Sequence, residues 1–340
     1  MIAIHKSKTG FHPRWVAYCQ EKNIPHKIVD CYDDDLIREL EGCKALMWHI
    51  NQNNPKDIII GKQILFTLEH TDLVVFPDFK TAWHFNDKVA QKYLFERIGA
   101  PLVPSFVFYD KNTALNWINS TDFPKVFKLR GGAGSSNVKL VHNLSHAKTL
   151  VNKAFKKGHP NYDAWGSLKE RWYKYKLGKV GIIEPIKGLI RFIWPPPFTK
   201  ILGREVGYIY FQDYLPNNDY DTRIIVIAEK AFALRRYVRK GDFRASGSGV
   251  FSYEKELFDE RCVKIAFELT EKLDSQCAAY DFIFDDSNMP LIVEVSFGYI
   301  KEVYYPCPGY WDKDLNWREG NFNHEGWIVD LILKEISLKR

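Results

Sequence analysis

No stretch of the 340 residues approaches the ~20 consecutive apolar side chains that a bilayer-spanning helix requires. The first 30 residues also lack an uninterrupted apolar core, because His5, Lys6, Lys8, His12 and Arg14 break it up, so no cleaved secretion signal is expected. The six cysteines (19, 31, 43, 262, 277 and 307) form no CxxC pair and no zinc-like spacing. Free thiols in a reducing, cytoplasmic setting are therefore expected. The Gly-Lys-Ser/Thr of a P-loop is missing, as are a Ser/His/Asp or Cys/His signature and any internal repeat. Together these absences argue against a helical membrane protein, a disulfide scaffold, a zinc module, a P-loop nucleotidase and an enzyme working through a covalent intermediate.

What is present is an ordinary folded composition, 46% hydrophobic and 26% charged, in a chain long enough for two or three packed domains. The net charge of +6 is uneven. Residues 153–204 hold twelve Lys and Arg against Asp163, Glu170 and Glu184, a local +9 that leaves the rest of the chain near −3. This segment is rich in Trp, Tyr and Phe. It reads first as a solvated helical face, then as a surface for peripheral contact with an anionic membrane or lipid-linked glycan. No nucleic-acid reading module accompanies it, so no nucleic-acid partner is expected.

Apolar runs at 1–5, 26–31, 45–50 and 74–76 alternate with helical spacing, which argues for an α/β arrangement with a parallel sheet over residues 1–85. His5 and His49 fall at strand ends of that sheet, where ligands of such sheets bind, although a structural role is the more ordinary reading. Residues 86–205 change texture, with a glycine-rich loop and, over 145–200, the basic insertion. From 206 to 340 strands dominate.

Three motifs carry chemistry. In the first, Lys128 on a strand runs into Gly131, Gly132, Gly134, Ser135 and Ser136 before the chain returns as a second strand. Small residues there let backbone N–H groups approach phosphate oxygens, and a plain glycine hairpin has the same pattern. In the second, Asp281 and Glu294 stand inside apolar strand-like runs, where a lone charge is costly. A hairpin through 285–290 would bring them together as hard oxygen ligands for Mg²⁺. A solvent-facing pair of acids is the alternative. The third is Gln212-Asp213-Tyr214-Leu215, followed by Asp221-Thr222-Arg223, Arg235-Arg236 and Arg244. Arginine forks of this kind clamp phosphate or carboxylate.

In this order the motifs resemble the ATP-grasp superfamily, which includes glutathione synthetase and D-alanine:D-alanine ligase. The resemblance covers roughly residues 86–296, and it implies that 1–85 is a Rossmann-like pre-ATP-grasp domain. It further implies that Lys88 and Lys128 contact ATP phosphates and that Gln212, Asp213, Tyr214 and Leu215 meet adenine. Arg223, Arg236 and Arg244 would face the phosphates and an acyl-phosphate, and Asp281 and Glu294 would hold Mg²⁺. The family has Asn where this chain has Ser296, a weaker third ligand. The implied function is an ATP-dependent carboxylate–amine ligase acting on small-molecule substrates. A small-molecule or sugar kinase and a non-catalytic nucleotide binder are the rivals. Residues 307–320 resemble ATP-grasp proteins of bacterial surface-polysaccharide or teichuronopeptide synthesis, and a structural cap would explain them equally.

Overall fold

Alternating apolar residues and short turn segments give this chain more strand than helix from residue 206 onward, while its N-terminal part alternates the two. The computed structural model describes residues 1–132, 137–176, 178, 180–196, 198–239 and 241–339. Gly134, Ser135 and Ser136 lie outside them. The chain divides into two units, one of residues 1–85, 95–101 and 217–340 and the other of residues 86–94 and 102–216. Strand Ile209–Asp213 pairs on both sides within the second unit.

In the first unit, four parallel strands lie in the order 26–29, 2–5, 45–47, 74–76. A larger antiparallel sheet runs in the order 290–296, 277–284, 220–227, 230–237, 309–312, 317–319. One core joins the two sheets, in which Phe297 packs its ring against Phe76 and Phe85. Gln276 ties them with polar bonds: its amide donates to the Val75 carbonyl and accepts from the Asp78 N–H. Both groups would otherwise be buried without partners.

The second unit has one four-stranded sheet, 105–108, 209–213, 125–128, 139–141. Its Phe127 and Phe211 side pack against helices Lys111–Ser120 and Leu144–Ala154. Both helices start on side-chain caps, Asp110 accepting from the Thr113 N–H and Asn143 from the His146 N–H. Residues 159–160 and 204–205 form a separate two-stranded ladder, closing the base of the basic insertion. Among the described residues no helix is long and apolar enough to cross a membrane.

Candidate functional site

Strand alternation sorts the second unit's sheet into two faces. Phe127 and Phe211 point into the core, so Lys128, Tyr210, Gln212 and Ser105 share the other face. These four are buried, and their polar atoms form one chain. Lys128 Nζ donates to Gln212 Oε1, and Gln212 Nε2 donates to Ser105 Oγ at 3.0 Å. Tyr210 Oη donates to the same Ser105 oxygen at 2.8 Å, and the Ser105 hydroxyl donates to the Val103 carbonyl. The ammonium is thus held at a fixed place by a sequence of oriented groups.

Lys88 and the glycine loop meet in the same unit. The Lys88 N–H donates to the Arg130 carbonyl at 2.9 Å, and Lys88 Nζ donates to the Gly132 carbonyl at 3.0 Å. Asn86 completes the clamp, its Oδ1 accepting from the Gly132 N–H at 2.8 Å. Gly132 has φ +120°, a backbone open to glycine and strained for other residues, and a Cβ at Gly131 would stand 3.2 Å from Asn86 Nδ2. Two sequence motifs that lie 40 residues apart are therefore one structure.

The expected adenine strand divides. Gln212 is committed to the Lys128 chain. The Asp213 carboxylate pairs with Lys125 at 2.6 Å, and its N–H bonds to the Pro104 carbonyl. Tyr214 and Leu215 follow the strand end, half-buried.

In the first unit the registers Asp221↔Arg236, Arg223↔Asp281 and Asp281↔Glu294 put five charged side chains on one sheet face. Further along that face lie core residues Ile225, Ile227, Phe232 and Ala279. At the charged end, Arg223 grips Asp281 through Nε and Nη2 (2.5 and 2.7 Å), and Arg236 grips Asp221 in the same way (2.6 and 2.7 Å). Arg236 Nη2 also reaches Asp281 at 2.7 Å, closing a buried quartet. Burial alone would raise the Asp281 carboxyl, but the charges of Arg223 and Arg236 hold it well below the usual carboxylate range. Burial pushes the Asp221 carboxyl up against the pull of Arg236, and the like charge of Asp281 adds to that rise.

The expected hairpin of acids is present, since Asp281 and Glu294 are direct partners across strands 277–284 and 290–296. Ser296 is otherwise engaged: its hydroxyl donates to the Gly298 carbonyl at 2.8 Å and accepts from the Gly298 N–H. Arg244 pairs with Asp242, two residues away, at 2.7 Å. For a hard cation the donors that fit are the carboxylates of Asp281 and Glu294. They are too few to form a cage, and two guanidinium groups already face Asp281. Such a pair suits Mg²⁺ that arrives with anionic oxygens of its own. Among the described residues there is no cluster of three or more His, Cys, Asp or Glu that would hold a metal alone.

The strand-end histidines are structural acceptors. His5 Nδ1 accepts from the Cys31 N–H, and His49 Nδ1 from the Phe11 N–H, both at 3.0 Å. His12 Nε2 accepts from the His49 N–H at 3.1 Å, which leaves its proton on Nδ1 toward the Thr9 carbonyl. Burial lowers His5 and His12 from 6.5 to about 4 and His49 to about 3, so all three are neutral near pH 7. Residues 309–312 and 317–319 form a hairpin on the sheet edge, with Trp311 packed on Phe258 and Trp317. That is a cap on the sheet edge, and its Tyr310 also packs on Trp327 of the C-terminal helix His324–Leu338.

Sequence reasoning missed Ser105, Asn86 as the loop's clamp and Asp221 as the partner of Arg236. Ser105 could have been noticed as a polar residue in an apolar strand; the other two depend on register and loop closure.

Residues 200–299 match a family model, the RimK-like ATP-grasp domain. No curated protein matches. Among solved structures, the chain is similar to a RimK domain protein ATP-grasp from Sphaerobacter thermophilus, at 12% identity, covering 98% of this chain and all of that one with a TM-score of 0.57. It is also similar to D-alanine–D-alanine ligase from Bacillus anthracis complexed with ATP (11% identity, 99% and 96% covered, TM-score 0.56). D-cycloserine synthetase gives a TM-score of 0.61 at 11% identity, with 98% and 99% covered. The chain thus has the ATP-grasp fold, and its residues 200–299 are similar to the RimK-like ATP-grasp domain.

Proposed function

We propose that the protein is an ATP-dependent carboxylate–amine ligase. The γ-phosphoryl group of ATP passes to a substrate carboxylate, giving ADP and an acyl-phosphate. An amine then attacks the acyl carbon, phosphate leaves, and an amide forms. Lys88 and Lys128 steady the nucleotide's phosphates. Asp281 and Glu294 would hold Mg²⁺, which offsets phosphate charge when bound. Arg223 and Arg236 stabilise the negative charge on the acyl-phosphate, and no enzyme nucleophile is needed.

The observation that supports this reading best is the quartet of Arg223, Asp281, Arg236 and Asp221, with Glu294 across from Asp281 on the same sheet face. Two arginines pre-aimed by carboxylates, beside a further acid, are suited to an anion that carries its own cation. The resemblance of residues 307–320 extends the reading to an amino acid as one substrate and a surface-glycan or peptide precursor as the other.

The test is carboxylate-dependent ADP release across a panel of acids and amines, with hydroxylamine present to trap the acyl-phosphate as a hydroxamate. Lys128→Ala and Glu294→Ala should each nearly abolish ADP release. Near-normal turnover in either sinks the assignment, and ADP formation with neither hydroxamate nor amide marks a kinase.

A further inference from the structure

The basic insertion turns a helix inside out. Helix Ile183–Ile190 is packed by helix Ala164–Lys176 at its smallest residues: Pro185 and Gly188 are buried, and a Cβ on Gly188 would stand 2.9 Å from Leu168 Cδ1. One flank carries Glu184, paired with Lys187 at 2.8 Å and with Arg171. The remaining arc and the turn after it display Ile183 (63% exposed), Ile186, Leu189 (57%), Ile190, Ile193 (74%) and Trp194 (70%). A surface helix of a water-soluble domain does the opposite, burying its large apolar side chains and showing its polar ones. So large a contiguous apolar surface marks an interaction site. The neighbouring helix adds exposed Trp165 and Trp172.

We infer that this surface docks on an anionic lipid membrane, lying in the interface without crossing it. Charge decides between possible occupants. Residues 153–204 carry a net +9, and Lys187 on this helix and Lys169 and Lys176 on its neighbour are exposed. A two-fold pairing of copies through this face would bring +9 against +9. A layer of anionic headgroups over hydrocarbon meets both components at once: isoleucines enter the acyl boundary, Trp194 and Trp165 sit at headgroup depth, and lysines reach the phosphates. The two-stranded ladder of 159–160 with 204–205 closes the segment at its base. This inference is independent of the ligase reading.

The test is flotation of the full-length protein with vesicles of phosphatidylcholine alone or with about one third phosphatidylglycerol, at low and high salt. Wild-type protein should partition at least about tenfold more onto the anionic vesicles, salt should weaken that preference, and Trp fluorescence should shift to the blue. Two variants divide the contributions: Ile183→Ser with Ile186→Ser and Ile190→Ser, and Lys169→Gln with Lys187→Gln. Each should lose most of the binding while keeping wild-type ADP release and thermal midpoint. Equal partitioning on neutral and anionic vesicles overturns the inference, as does wild-type binding by the isoleucine variant. Sedimentation showing a dimer that the isoleucine variant dissolves overturns it in favour of a second copy.

Discussion

At the scale of single residues, Asp221 and Glu294 are both acids on strands of one sheet, and the structure gives them different work. Asp221 is one side of a doubly bonded pair with buried Arg236. Removing it leaves a desolvated guanidinium short of a partner, a change that typically costs ~3–5 kcal/mol. Asp221→Ala should therefore lower the urea midpoint sharply. Glu294→Ala should shift stability by no more than about 1 kcal/mol, the ordinary effect of a substitution, while abolishing ADP release. Comparing unfolding and turnover in the two variants checks this directly, and matching losses of stability would contradict it. The loop glycines divide in a similar way. Gly132 adopts φ +120° and Gly131 has ordinary backbone with a tight neighbour. Gly132→Ala should weaken nucleotide binding, measured by calorimetry, more than Gly131→Ala.

At the scale of elements, most of the strand and helix positions could be read from apolar periodicity, and so could the hairpin joining Asp281 to Glu294. Register could not. Asp221 pairs with Arg236 because strands 220–227 and 230–237 are joined by the two-residue turn Ala228-Glu229. Ala228 takes φ +51° there, where Asn or Gly would have announced the turn. The strand-end histidines show the same limit, because their backbone partners come from loops that periodicity does not describe. They also predict a pH response. His5, His12 and His49 are held at about 4, about 4 and about 3, below their ordinary 6.5. Between those limits the unfolded chain binds protons that the folded chain refuses. Stability is therefore complete above about pH 6.5 and falls as pH drops toward 4, by up to ~1.4 kcal/mol per pH unit for each histidine. Urea midpoints between pH 7 and 4.5 should show this slope, and His12→Gln should flatten it.

At the scale of the whole molecule, positive charge and exposed apolar side chains gather in one insertion that lies outside the second unit's core cluster. The second unit's core cluster takes its side chains from 114–154 and 209–211, with Phe108 and Phe155 among those packed against it and, among the described residues, none from 161–203. The insertion leaves and returns through the paired residues Pro160↔Arg204 and His159↔Glu205. Their closeness means that a short turn can replace what lies between, since shortening a loop lowers its closure cost. Replacing residues 162–202 with Asn-Gly should therefore give a protein that unfolds cooperatively, near the wild-type midpoint. MgATP should still stabilise it: at a hundred times its dissociation constant, a ligand binding only the folded state contributes ~2.7 kcal/mol. Mg²⁺ without nucleotide should contribute far less in either protein, because Asp281 already faces two arginines and offers a lone cation few free oxygens. Thermal unfolding of both proteins with Mg²⁺, ATP and the two together separates these expectations. A shortened protein that fails to unfold cooperatively would show that the insertion belongs to the core. A large shift from Mg²⁺ alone would show a cation site that Asp281 and Glu294 do not account for.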